Sequence, residues 1–70
     1  MRTEFIMLAL RSKGINFDKY EIIFEEDFYD KYVEAIIELK KNKYAVMNTN
    51  EFKLNEKGYA IADEIIAKYF

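Results

Sequence analysis

Seventy residues leave room for one domain, residues 1–70, and the 51% apolar content with six Phe and six Tyr can build a dense small core. A domain of this size buries only about 60% of the surface its unfolded chain exposes, so that density is needed. The chain has no cysteine, no histidine and a net charge of −2, which excludes disulfides, thiolate metal sites, iron–sulfur ligation and imidazole catalysis, and gives no field to gather phosphates.

Zinc would find only carboxylates, a poor ligand set for it. No apolar run approaches the roughly 20 residues that span a bilayer. Phe5 to Leu10 is apolar, but only Arg2 precedes it and no small-residue cleavage site follows, so a signal peptide is not expected. Cytoplasmic localisation is the resulting expectation.

The first predicted helix runs from Thr3 to Ser12, with Thr3 as N-cap and Gly14 just beyond the end, where a left-handed residue is wanted. Phe5, Ile6, Met7, Leu8 and Leu10 make it apolar almost all round. Such a short helix belongs either in a core or against another domain. Asn16 caps a second helix, Phe17 to Phe24, whose Phe17, Tyr20 and Phe24 fall at i, i+3 and i+7. Glu25-Glu26-Asp27 ends that pattern, and Asp27 caps a longer helix, Phe28 to Lys41. Phe28, Tyr32, Ile36 and Leu39 form its main stripe, with Tyr29, Val33 and Ile37 beside it. Acids open this helix and Lys40, Lys41 and Lys43 close it, in keeping with the helix dipole.

Tyr44–Met47, the turn Asn48-Thr49-Asn50, and Glu51–Leu54 read as strand, turn, strand, because asparagine tolerates the left-handed conformations of a tight turn. Asn55 caps a last helix, Glu56 to Phe70, with Ile61, Ile65, Ile66, Tyr69 and Phe70 on its apolar face. Gly58 in its first turn costs about 1 kcal/mol relative to alanine. Its presence points to a close approach of another backbone, that of the hairpin. The predicted fold class is mainly α (α+β) and winged-helix-like: three helices, a two-stranded β-hairpin wing and a C-terminal helix.

A winged helix invites a DNA-binding reading, in which the third helix enters the major groove by its N-terminal residues. Here that end carries Glu25, Glu26, Asp27 and Asp30, and phosphate neutralisation supplies most of the affinity for DNA. The wing offers only Lys53, and Lys40, Lys41 and Lys43 lie at the far end of the helix. The charge pattern argues against DNA as a partner.

The stretch Met1-Arg2-Thr3-Glu4-Phe5-Ile6-Met7-Leu8-Ala9-Leu10-Arg11, followed by Gly14-Ile15-Asn16, resembles the C-terminal domain of radical-SAM proteins of the oxygen-independent coproporphyrinogen III oxidase family, which includes the related haem chaperones. That family reads as an acid, apolar residues, Leu-Gly-Leu-Arg, then Gly-Ile/Val-Asp. It continues through an aromatic-rich short helix, an Ala-Ile-Glu-Leu type of helix, a hairpin and Leu-Thr-Glu/Pro-Lys-Gly. It ends with Ala-Asp/Asn-Glu before a terminal aromatic. Leu54-Asn55-Glu56-Lys57-Gly58 and Ala62-Asp63-Glu64-Ile65-Ile66-Ala67-Lys68-Tyr69-Phe70 follow the same order, so the resemblance covers essentially the whole chain. The Leu-x-x-Lys-Gly piece is common among winged-helix proteins; the first motif together with the ending is more specific. Ala9 stands where the family prefers glycine, and Glu25 where a small residue is common.

The resemblance implies a larger protein. A separate catalytic barrel would hold a [4Fe–4S] cluster through Cys-x3-Cys-x2-Cys and bind S-adenosylmethionine, with a tetrapyrrole substrate or haem. The absence of cysteine here agrees with those cofactors lying elsewhere. The chain is then expected to be a C-terminal fragment, with Met1 an internal methionine of the parent or an added initiator. It would be a non-catalytic accessory domain in tetrapyrrole or haem metabolism, with the barrel as its partner. A free-standing winged-helix regulator that binds protein or DNA is the alternative.

Glu4 and Arg11, seven residues apart, fall near one face of the first helix and are the candidate docking or substrate-facing pair. The planar fork of Arg11 suits propionate carboxylates. The plainer alternative is a solvated polar edge, with Arg11 favourable at a helix C-terminus. No catalytic, cofactor-binding or metal-ligating residue is expected. The tyrosines, including any that would stack on a porphyrin or ligate haem iron, are expected to pack, as are Met7 and Met47. Glu25, Glu26 and Asp27 lack calcium-loop spacing and read as a capping run.

Overall fold

Three side-chain oxygens decide where helices begin in the computed structural model, which describes residues 2–70. Asn16 Oδ1 accepts from Lys19 N at 2.9 Å and Asp27 Oδ1 from Asp30 N at 3.0 Å. Asn55 Oδ1 accepts from Gly58 N at 2.9 Å. Each satisfies an amide that the helix itself leaves unpaired. Along the chain the elements are α1 (Arg2–Leu10), β1 (Ile15–Asn16), α2 (Phe17–Phe24), α3 (Phe28–Lys31), α4 (Val33–Lys41), β2 (Ala45–Met47), β3 (Glu51–Leu54), α5 (Glu56–Ala60) and α6 (Ala62–Tyr69). The class is α+β.

The expected boundaries need four corrections. α1 already includes Arg2, so Thr3 lies inside the helix and is not its cap; Met1, which opens the N-terminal motif, is outside the described residues. The helix expected over 28–41 is divided at Tyr32, whose φ of −119° and ψ of 29° bend the chain while Tyr32 N–H still donates to Phe28 O and Ile36 N–H to Tyr32 O. The bend puts the Tyr32 ring 5.0 Å from both Phe28 and Phe70. Packing, rather than proline or glycine, accounts for it. The last helix is divided in the same way at Ile61, with φ −123° and ψ 32°. Gly58 is held on the hairpin on one side of that break, while Ile65 and Ile66 reach the core on the other. Finally, the sheet has three strands rather than two.

That third strand is β1. It pairs antiparallel with β3, Ile15 opposite Phe52 and Asn16 opposite Glu51. β2 pairs with the other edge of β3, Ala45 opposite Leu54 and Met47 opposite Phe52, giving the order β1-β3-β2. Asn48 Oδ1 accepts from Asn50 N and Glu51 N at 2.7 and 2.8 Å and closes the hairpin turn. Alternation along β3 buries Phe52 and Leu54 and leaves Lys53 outside.

The core joins one face of the sheet to the helices. Ile6, Leu10, Ile15, Tyr20, Phe28, Ile36, Leu39, Phe52 and Leu54 are at most 1% exposed, and together they outline it. Phe28 is its hub: the rings of Phe17, Tyr20, Tyr32, Phe52 and Phe70 lie 5.0–6.1 Å from it. Offset and edge contacts of this kind add to the stabilisation from area burial alone. Two glycines set the clearances. Gly14 has φ +98°, and a Cβ there would meet Lys53 Cβ at 2.5 Å and Phe52 O at 2.7 Å. A Cβ on Gly58 would overlap Tyr44 O, the carbonyl that also accepts from Asn55 N at 2.9 Å. The expected close approach of Gly58 to the hairpin is therefore present.

Candidate docking surface

α1 is sandwiched on one side only. Ile6 and Leu10 are fully buried, Phe5, Met7 and Ala9 are partly buried against the core, and Glu4, Leu8 and Arg11 form an exposed outer stripe at i, i+4 and i+7. Leu8 is 61% exposed, between the two charged residues that the sequence singled out. Glu4 and Arg11 thus share a face, but they do not pair. Arg11 forms an ion pair with Asp63 at the start of α6. Both partners are well exposed, so the pair is screened and contributes little to stability. It leaves the guanidinium at the edge of a shallow polar groove lined by Arg11, Tyr59 and residues 60–64. Tyr59 OH donates to Ser12 O at 2.6 Å across that groove. Sequence reading missed Tyr59 and Asp63, which reach Arg11 only through the tertiary fold.

The other end of α1 is tied down differently. Arg2 Nη2 donates to Glu26 Oε1 at 3.0 Å, and Tyr20 OH donates to Glu26 Oε2 at 2.5 Å. Burial pushes the Tyr20 phenol well above its ordinary value, and the hydrogen bond to the Glu26 carboxylate adds to the shift. The acidic run is therefore structural in detail. Glu25 ends α2 in a left-handed conformation, φ 56°; Glu26 holds Arg2 and Tyr20; Asp27 caps α3. Tyr69 OH donates to Glu38, and Met7 and Met47 pack on the core.

Among the described residues, no group of three or more His, Cys, Asp or Glu side chains is placed to hold a metal ion. The [4Fe–4S] cluster that the resemblance implies does not fit this chain, which has no cysteine to ligate it. Among the same residues, no helix is long and apolar enough to cross a membrane. No protein-family model, curated protein or solved structure matches the chain.

Proposed function

We propose that this chain is a winged-helix-like accessory domain of a radical-SAM protein of the oxygen-independent coproporphyrinogen III oxidase family. It packs on the catalytic barrel and helps to shape the tetrapyrrole site without taking part in the chemistry. The observation that carries the reading is the outer stripe of α1. An exposed leucine flanked by Glu4 and Arg11 lies on the segment whose sequence bears the resemblance. A surface of that kind suits a partner that is itself part apolar and part charged.

The strand order β1-β3-β2, with a helix before β1 and two helical segments between α2 and the hairpin, supports the winged-helix description. The motif glycines Gly14 and Gly58 both sit where a side chain would collide with the hairpin, which gives a physical reason for glycine in those motifs. Arg11 is held by an exposed, screened pair, so exchanging Asp63 for a propionate or a barrel carboxylate costs little. Any cluster and S-adenosylmethionine would be held by the barrel.

The test is turnover and tetrapyrrole binding by the parent protein with and without residues 1–70. The proposal expects both to fall on deletion; unchanged values refute it. The free-standing regulator makes the opposite forecast, a ribosome-binding site directly before Met1 and no continuing reading frame. Its DNA version also requires duplex retardation at physiological salt. Glu34 and Glu38 on the exposed side of α4 offset Lys40 and Lys41 and leave that helix without the net basic face that version needs.

A further inference from the structure

A second exposed apolar feature lies on α2. Tyr20 is buried and Phe17 and Phe24 pack against the core, so the helical repeat turns Ile22 outward. Ile22 is 79% exposed and its neighbour Ile23 is 54% exposed. Isoleucine is a weaker helix former than the lysine and glutamates around it, so local propensity does not explain the pair. Asp18, Glu21, Ile22 and Glu25 line one shallow groove, and Lys19 is the cation on the opposite flank of Ile22.

The charge selects what can cover this face. Asp18, Glu21 and Glu25 outnumber Lys19 around Ile22, so a two-fold contact with a second copy would bury carboxylates with too few cations opposite them. Nucleic acid and anionic lipid are repelled by the same carboxylates. A wholly apolar partner would bury them without compensation, which is costly. We infer that the Ile22 face of α2 is a docking site for a basic amphipathic segment of a protein, one that places an aliphatic side chain over Ile22 and arginine or lysine beside Asp18, Glu21 and Glu25. The inference does not depend on the proposed family. It concerns a different helix and stands whichever parent the domain serves.

The probe is a synthetic amphipathic peptide of about 14 residues, roughly four helical turns, with leucine on one face and arginine flanking it. It is titrated into the ¹⁵N-labelled chain at physiological salt, and the same peptide with glutamate for arginine serves as comparison. The expected result is saturable binding of the basic peptide, with amide shifts confined to residues 17–25 and none from the acidic one. Ile22→Ser should weaken binding about tenfold, as truncation of a central apolar anchor does. Glu21→Lys should weaken it about fivefold, through lost complementarity. Val46→Ser, which removes an exposed apolar side chain elsewhere, should leave it unchanged. Equal binding of both peptides, shifts scattered over other faces, indifference to Ile22→Ser, or dimerisation of the free chain through α2 would each overturn the inference.

Discussion

At the scale of single residues, Tyr20 and Gly58 carry the clearest consequences. Tyr20 is fully buried and donates to Glu26, and its phenol titrates above the ordinary value of 10.0. A raised acid favours the protonated phenol in the folded state, so its contribution is present below pH 10 and is lost as pH rises above it. Urea unfolding should give a flat stability up to about pH 9 and a decline beyond about pH 10. Tyr20→Phe should cost about 1.5–3 kcal/mol at neutral pH, the range for a hydrogen bond to a charged partner, and should flatten that alkaline decline. Gly58→Ala should lose about 2–3 kcal/mol in the same assay, because the new methyl meets Tyr44 O. Helix propensity alone forecasts a gain of about 1 kcal/mol, so the sign decides between the two accounts. The glycine's role was legible in the sequence as an anomaly, a poor helix former where a good one was free to stand. The Tyr20–Glu26–Arg2 link was not, because nothing in the spacing of those residues announces a shared carboxylate.

At the scale of elements, the caps were the most legible feature. Asn16, Asp27 and Asn55 each cap the helix expected of them, since a short polar acceptor before an apolar repeat has few other uses. They should not be equal in effect. Asn55 also donates from Nδ2 to Lys43 O at 2.7 Å and so ties α5 to the entry of the hairpin. Replacement by alanine should cost about 1 kcal/mol at Asn16 or Asp27 and about 2 kcal/mol at Asn55, measured by thermal unfolding. Glu25 ends α2 at φ 56°, where glycine is less strained. Glu25→Gly should raise stability by about 0.5–1 kcal/mol, and a fall in melting temperature would contradict that. The breaks at Tyr32 and Ile61 escaped the sequence reading because neither has a breaker residue; the packing of Tyr32 on Phe28 and Phe70 and of Ile65 and Ile66 in the core accounts for them. β1 escaped for a related reason. Two residues are too few for an alternating pattern, and the sequence marks Asn16 as a cap, a role it keeps while also pairing with Glu51.

At the scale of the whole molecule, a single aromatic hub at Phe28 fastens the helices to the sheet, and exposed apolar side chains remain on several elements. Leu8 with Glu4 and Arg11 marks one outward face; Ile22 with Asp18, Glu21 and Glu25 marks another. The first was half legible. Helical spacing placed Glu4 and Arg11 on one side, but the pairing of Arg11 with Asp63 arises only when α6 packs beside α1. The proposed role turns on whether that first face is covered in the parent protein. Hydrogen exchange of the α1 amides, compared between the isolated chain and the full parent, tests this most directly. The account predicts slower exchange along α1 in the parent, returning to the isolated rate in Leu8→Asp. Equal protection in both proteins, or slowed exchange that survives Leu8→Asp, would contradict it.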